Sequence, residues 1–375
     1  MSMITPFNPN YTLSNGLKVV TVAPDPTNQL EPGYIMTLRL TDADGLFAVL
    51  KQTPNESNKV IFDVSEILRI TKPSYDRHSG VSIVANGSVR RVILEAVEVW
   101  EGGSNSLSTE TGFVIHGALQ FEDGLLYDEA NNRDVFLTEF KEMQATNGDF
   151  GTVAIAPTAL SPTFPDDVSF EVFNEQGAQI QNFTVDLGLV TSDENTRVQF
   201  AALFPSSLAA SASISLNTNW AYYTATFESD TITVHRACEL PYEKYRLAFW
   251  NTRGGWDYFN FNLNHTELIE VERNEFTQLY GNWNGDTFGY SKYERGRAVY
   301  ESTTQELVTV SAKVTQDESE SLKKLLGSRE VQLLQGDQGI PVIIEDTTFP
   351  VFHNLDRSKK TLTITFRKSH NILNA

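Results

Sequence analysis

The chain has 375 residues and a formal net charge of −19, from 29 Lys and Arg against 48 Asp and Glu. Such an acidic field repels phosphate, which argues against nucleic-acid binding through the backbone. Hydrophobic residues make up 40% of the chain, enough for a packed core, so a disordered chain is excluded. The length allows about two or three domains.

The single cysteine and the first ten residues indicate the compartment in which the protein is made. Cys238 is the one cysteine, so no intrachain disulfide is possible, and we expect a buried structural thiol there. The first ten residues lack the basic and apolar regions of a secretory signal. No apolar run approaches the ~20 residues of a membrane-spanning helix. We therefore expect a soluble chain, made in the cytoplasm, with no membrane insertion.

Short strand signals recur through residues 1–118, which we predict to form an N-terminal β domain. Asp63 is followed by apolar residues at helical spacing, which indicates a short helical turn. Residues 81–85 and 89–100 flank Asn-Gly, a pair typical of a two-residue hairpin turn. Residues 101–106 have the composition of a loop. Strands at intervals of ~8–12 residues favour a β-sandwich or barrel.

Residues 119–262 are predicted to form a central β domain with long loops, and the proline-rich residues 156–167 are the best linker candidate. Residues 263–375 are predicted to form a C-terminal domain of strands with one helix, residues 317–326. That helix has acids in its first turn, lysines near its end and a glycine after its last leucine. The predicted fold class is mainly β, with several β-sandwich-like domains in tandem and a few short helices.

The most aromatic stretch is residues 245–261, where two aromatic runs flank the turn Asn251–Gly255. The pattern predicts a β-hairpin with a loop longer than two residues. One interpretation is a core hairpin, since such residues are usually buried, and its position favours a rigid joint between the central and C-terminal regions. The other is an exposed platform for a ligand such as a sugar. The stacking candidates for that platform are Trp250, Trp256, Tyr258, Trp283 and Tyr290.

The chain carries no recognisable catalytic motif. The six histidines are scattered, without the spacing of a zinc site, and no nucleophile elbow, phosphate loop or dinucleotide fingerprint is present. Asp42–Gly45 resembles the start of a calcium loop, but the remaining ligands are missing, so we interpret it as a turn. We therefore expect no catalytic residue, no metal site and no cofactor, and a protein that is not an enzyme.

Three segments resemble a known group of proteins. Val331–Thr347 contains Pro-Val-Ile-Ile-Glu-Asp after a leucine helix and a glycine turn, Asn251–Phe259 contains Gly-Gly-Trp-Asp-Tyr-Phe, and Ile61–Arg69 contains Phe-Asp-Val-Ser-Glu-Ile-Leu. Their order is similar to that in virion structural proteins, mostly tail proteins, of tailed phages that infect Bacteroidetes-type bacteria. Residues 101–167 and 200–220 have no counterpart in this resemblance.

The resemblance implies a structural component of a phage virion, in the tail, the baseplate or a neck ring. It implies a homo-oligomer in a symmetric ring, in contact with other virion structural proteins and not with nucleic acid. The protein would be made in the host cytoplasm and located in the virion. The alternative function is a host-recognition adhesin that binds or cleaves glycans through the aromatic candidates named above.

Overall fold

The computed structural model of the chain describes residues 3–4, 12–15, 19–68, 78, 83–84, 89–118, 135–156, 167–187, 198–238, 243–279, 281–284, 286–293, 296–350 and 359–370. Within them the protein is mainly β, with several sheets and two α-helices, as the sequence predicts. The predicted linker and the Asn-Gly turn lie mostly or wholly outside the described residues.

The N-terminal part forms two sheets over one core. The inward residues of its strands alternate with outward ones, as Met36, Leu38 and Leu40 show, and all three are fully buried. The five-stranded sheet has the order β2-β9-β8-β4-β5, and a three-stranded sheet has the order β1-β3-β6. Its elements are β1 (Met3–Ile4), β2 (Thr12–Asn15), β3 (Val19–Val22), β4 (Ile35–Asp42), β5 (Gly45–Gln52), β6 (Val60–Asp63), β7 (Ile83–Val84), β8 (Val89–Trp100) and β9 (Gly103–Ala118).

Three local predictions for this part have different outcomes. The helical turn after Asp63 is confirmed, because the Leu68 N–H donates to the Val64 carbonyl at 3.0 Å. The loop at residues 101–106 is wrong from Gly103 onward, where β9 begins and pairs with β8 along its length. The turn of the predicted hairpin lies outside the described residues, and the described part of its first arm, β7, pairs with a strand at residues 199–200.

The central part contributes a five-stranded and a three-stranded sheet. The five strands are ordered β10-β16-β15-β12-β13, and the three are ordered β11-β14-β7. Helix α1 was not predicted from the sequence, although it begins with a proline, a residue that is common at the first position of a helix. The elements are β10 (Glu142–Ala145), β11 (Thr152–Ile155), β12 (Asp167–Phe173), β13 (Gln179–Asp186), β14 (Gln199–Ala202), α1 (Pro205–Ala212), β15 (Tyr222–Phe227), β16 (Asp230–Arg236), β17 (Tyr245–Trp250) and β18 (Trp256–Phe261).

The C-terminal part completes a seven-stranded antiparallel sheet of order β18-β17-β23-β24-β25-β22-β19. The predicted helix is confirmed as α2, and Thr315 and Glu318 form a capping box at its start. The elements are β19 (His265–Thr277), β20 (Asn282–Asn284), β21 (Thr287–Gly289), β22 (Arg297–Val314), α2 (Gln316–Gly327), β23 (Val331–Gln335), β24 (Gln338–Ile344) and β25 (Lys360–Lys368).

The predicted hairpin at residues 245–261 lies in the middle of the second hydrophobic core. β17 pairs with β18 on one side and with β23 on the other, so the seven-stranded sheet extends across the predicted boundary at residue 262. The second core likewise includes residues from both sides of that boundary. The central and C-terminal parts therefore share one core, and the N-terminal sheet has its own.

The hairpin loop is shaped by Asn251 and two glycines. The Asn251 side-chain oxygen accepts hydrogen bonds from the N–H groups of Arg253 and Gly255, at 2.9 and 3.0 Å. Gly254 has a φ of +95°, which only glycine adopts readily. A Cβ on Gly255 would lie 2.2 Å from the Leu137 carbonyl oxygen. The loop chemistry is therefore fixed both by backbone conformation and by close packing.

We predict that Trp256→Ala destabilises the protein by about 3–5 kcal/mol, the usual cost of removing a large buried ring. Trp256 is 1% exposed and meets the Trp250 ring edge-on at 5.2 Å. Tyr290→Ala is the matched control, because Tyr290 is 70% exposed and its loss should change stability by under about 0.5 kcal/mol. Denaturant unfolding monitored by circular dichroism measures both, and equal stabilities would contradict the core assignment.

Candidate functional site

Three of the five aromatic candidates are in the core. Trp250, Trp256 and Tyr258 are 3%, 1% and 4% exposed, so their faces are not accessible for stacking on a sugar. For these three the platform interpretation of the hairpin is wrong, and the core interpretation is confirmed. The physical reason is that β17 pairs on both edges, with β18 and β23, and that the three side chains pack into the second hydrophobic core.

A buried polar network surrounds Tyr258. Its hydroxyl lies 2.8 Å from His78 Nδ1, and the Thr152 N–H donates to that hydroxyl at 3.2 Å. His78 Nε2 lies 2.9 Å from the side-chain oxygen of Gln332, which can only accept. His78 therefore carries its proton on Nε2 and accepts from Tyr258 at Nδ1. The network connects the three parts of the chain through hydrogen bonds.

A second buried cluster is built around Asp149, which is 1% exposed. Its carboxylate accepts from the Thr146 N–H at 2.8 Å and from the Asn260 amide at 2.7 Å, and it pairs with Lys244 and Arg246. Burial alone would raise the pKa of Asp149, but the two cations and the hydrogen bonds hold it below its ordinary value. Asp149 is thus an ionised and fully partnered group, which fits a structural role.

A cavity of about 490 Å³ opens beside the hairpin. Its charged lining mixes Lys244, Lys313 and Lys359 with Glu142 and Glu318. Lys244 is already paired with Asp149, and Glu318 caps helix α2. Cys238 also lines this cavity and is exposed, so the expectation of a buried thiol is wrong. The strand β16 ends at Arg236, which leaves Cys238 beyond the sheet.

The carboxyl group of Asp257, on the hairpin, lies in an environment that disfavours its charged form. It is fully buried and accepts from the Thr138 hydroxyl at 2.5 Å and from the Glu139 N–H at 3.1 Å. Burial, together with repulsion from Glu139, raises the pKa of Asp257 to about 7. Because the Asp257 side chain is inaccessible to solvent, its raised pKa is explained by burial in the packed core.

The most exposed apolar surface is a projecting ribbon, which we call the arm and define as residues 268–306. β22 pairs with both β25 and β19 at residues 307–310, and the pairing with β19 continues along residues 297–306. At ~3.3 Å per residue, this portion extends about 33 Å from the sheet. Residues Thr266–Thr277 are exposed on both faces of the ribbon. β19 is the end strand of the seven-stranded sheet, so it presents an edge to which a further strand could pair.

The arm concentrates exposed hydrophobic side chains. The described residues include seventeen large hydrophobic side chains that are exposed, and ten of them lie on the arm. A monomer seldom leaves that much apolar surface in one place unless it serves binding. The ten are Leu268, Ile269, Val271, Phe276, Leu279, Phe288, Tyr290, Tyr293, Val299 and Tyr300.

The remaining two aromatic candidates lie at the tip of the arm, away from the hairpin. Tyr290 is 70% exposed and its ring centre lies 6.2 Å from that of Phe288. Trp283 belongs to β20, which pairs with β21, and its side chain lies outside the described part of the structure. Gly281 is required at the tip, because a Cβ there would lie 2.3 Å from the Phe288 ring.

Sequence reasoning identified parts of this region as strands but missed the arm. Strands were predicted within residues 263–375, without the pairing that joins residues 268–306 into one ribbon. Residues 267–272 mix three acids with Leu268, Ile269 and Val271, a pattern that does not reveal the exposure of both faces. The excess of exposed aromatic residues becomes visible only once burial is known.

No group of three His, Cys, Asp or Glu side chains that could hold a metal occurs among the described residues. Neither helix that the structure describes combines the length and apolar composition needed to cross a membrane. No protein-family model matches the chain, and no curated protein matches it significantly.

We predict that Asp257→Asn becomes more stable relative to the parent chain as the pH rises from about 4 to about 7. The folded pKa of Asp257 is raised to about 7 from an ordinary value of 3.8, so the folded state binds more protons in this window. Its contribution to stability is therefore complete below pH ~4 and is lost as the pH rises through 7. The difference between the two pKa values corresponds to a change in the free energy of unfolding on the order of 4 kcal/mol.

The test measures the free energy of unfolding of both chains in urea across this pH range. Carboxylates remote from Asp257 contribute equally to both chains and cancel, so the difference reports the Asp257 site. A parent-minus-variant difference that does not change with pH would contradict the raised pKa.

Proposed function

We propose that the protein is a structural component of a bacteriophage virion, in the tail, the baseplate or a neck ring, and that it acts by oligomeric assembly and not by catalysis. The observation that carries the assembly part is the arm, with its exposed apolar side chains and its end strand β19. The virion part rests on the three ordered segments that resemble tail proteins of Bacteroidetes-type phages.

Assembly is favoured because the arm would be marginally stable and prone to aggregation in an isolated chain. A two-stranded ribbon is marginally stable in water unless a third strand or another face supports it. Free strand edges and exposed aromatic rings also promote uncontrolled aggregation. A neighbouring subunit removes both costs by covering a face or extending the ribbon. The arm is therefore best explained as an element that is completed by another chain.

In this proposal the particle is assembled in the host cytoplasm. One cysteine and no possible intrachain disulfide suit a reducing compartment. The net charge of −19 disfavours contact with nucleic acid. The proposed partners are further copies of this chain in a symmetric ring and other virion structural proteins, with no cofactor.

We predict that shortening the arm abolishes assembly without unfolding the protein. Residues 271–304 are replaced by Asn-Gly, which joins Glu270 to Gln305, two residues that face each other across the ribbon. The removed residues lie outside both hydrophobic cores, so the thermal transition should be unchanged. Sedimentation velocity should show that the parent chain forms oligomers and the shortened chain remains monomeric.

A milder variant separates the effect of apolar contacts from that of length. Phe276→Ser with Tyr300→Ser should weaken assembly, since both rings are exposed and lie together, with centres 6.2 Å apart. Ile61→Ser with Ile343→Ser is the matched control, because these side chains are similarly exposed but lie outside the arm. Oligomers of unchanged size in the shortened chain would contradict assembly through the arm.

The virion part has a separate test. Particles purified after infection by the phage whose genome encodes this chain are analysed by mass spectrometry. We expect peptides of the chain at a stoichiometry of several copies per particle. Absence of the chain from intact particles, while known capsid and tail proteins are detected, would refute a virion role.

The alternative function, a glycan-binding or glycan-cleaving adhesin, is now confined to the arm tip. The observation in its favour is the exposure of Tyr290 and Tyr293, 70% and 84%, since exposed rings can stack on sugars. Binding of the parent chain to an array of host-surface glycans, lost in Tyr290→Ala but retained in Ile343→Ser, would favour the adhesin. Glycan binding that survives Tyr290→Ala would exclude the tip as its site.

A further inference from the structure

A second apolar surface lies on the outward side of the five-stranded N-terminal sheet. Residues of β4, β5 and β8 that point away from the core line a shallow groove of about 630 Å³ on this side. Ile35, Leu46, Val49 and Val99 are exposed there, between 36% and 60%. We call this surface the outer face and define it by the groove residues Ile35, Thr37, Arg39, Thr41, Leu46, Val49, Lys51, Glu95 and Val99.

We propose that the outer face receives the arm of a second copy of this chain. The proposal rests on the assembly function above and names the surface through which it operates. Of the seventeen exposed large hydrophobic side chains in the described residues, the arm holds ten and the outer face holds four. Because all fourteen are exposed within one chain, the arm does not lie on its own outer face.

Charge complementarity supports this pairing. One face of the arm carries Glu270 and Glu272 between Leu268 and Phe276, and Glu301 pairs opposite Asn274 on the same face. The cations Arg39 and Lys51 lie on the outer face, where Glu95 is the acid and is 3.4 Å from Arg39. In a chain of net charge −19, a cationic apolar surface opposite an acidic apolar one favours a specific encounter.

The geometry of the two surfaces is also compatible. Each is a twisted antiparallel β surface, and such surfaces pack face to face at about 10 Å, with side chains interdigitated. β5 is the end strand of its sheet, so the outer face is open on that side. The contact joins two different surfaces, and a contact of this kind produces a ring when its rotation closes.

The first test is reversal of charge on each surface and on both. Arg39→Glu with Lys51→Glu should raise the concentration midpoint of assembly at least about tenfold, and so should Glu270→Lys with Glu272→Lys. The chain that carries all four changes should recover most of the parent affinity. Arg329→Glu with Lys359→Glu is the control for net charge, because both residues are exposed and outside the two surfaces.

The second measurement detects the contact directly and does not depend on the charge variants. On a Cys238→Ser background, one chain carries Leu268→Cys and the other carries Val49→Cys, and the mixture is treated with a short bis-maleimide. The proposal expects a cross-linked dimer that forms from the mixture much more than from either chain alone. Arg273→Cys, on the opposite face of the arm, replaces Leu268→Cys as the control and should cross-link less.

The outcomes separate this proposal from the assembly function. Restoration by the fourfold variant together with the Leu268–Val49 cross-link supports the outer face as the docking site. Assembly that needs the arm but is indifferent to Arg39 and Lys51 overturns the docking site and leaves the assembly function in place. A parent chain that stays monomeric at every concentration overturns contact between copies. The virion role is then tested separately, by mass spectrometry of purified particles.

Discussion

The burial of the β17–β18 hairpin is the constraint on which most of the structure depends. This hairpin is the edge of the seven-stranded sheet and at the same time part of the core beneath the central strands. The Asn251 amide donates to the Leu137 carbonyl at 2.8 Å, and the Tyr258 hydroxyl meets His78 and Thr152. Segments far apart in sequence are thus held by one pair of strands, so the central and C-terminal parts form a single unit in which neither half has a core of its own.

That constraint explains the polar groups buried nearby. A buried carboxylate is costly unless it is partnered, and the two acids around the hairpin meet this requirement differently. Asp149 remains ionised between Lys244 and Arg246, whereas Asp257 has no ion pair within the described part of the chain and has a pKa of about 7. The two side chains are 1% and 0% exposed, and neither lines the cavity beside the hairpin. Their hydrogen-bond partners lie on separate strands and loops, so these groups orient that part of the fold.

The sequence was sufficient for the class of fold and for the elements whose signals are local. Helix α2 was predictable because capping residues, the apolar stripe and the terminal lysine all agree. The hairpin at residues 245–261 was predictable from alternation and the loop residues. Pairing between distant strands was not, and β7 joins β14 across more than a hundred residues although a strong turn signal follows it. Burial was harder still, since Trp256 and Tyr290 look equally suited to a core or a surface until the strands are placed.

The arm shows why a site of assembly is less visible in a sequence than a catalytic site. Catalysis constrains particular residue types at particular spacings, whereas docking needs only apolar area, open edges and a compatible charge pattern. Each of these is ordinary in a strand taken alone, and their meaning comes from exposure on both faces of one ribbon. An acidic chain also repels its own copies, so any contact between them must bring unlike surfaces together. A contact between the acidic arm and the cationic outer face meets that requirement, whereas a symmetric contact of arm with arm would oppose like charges.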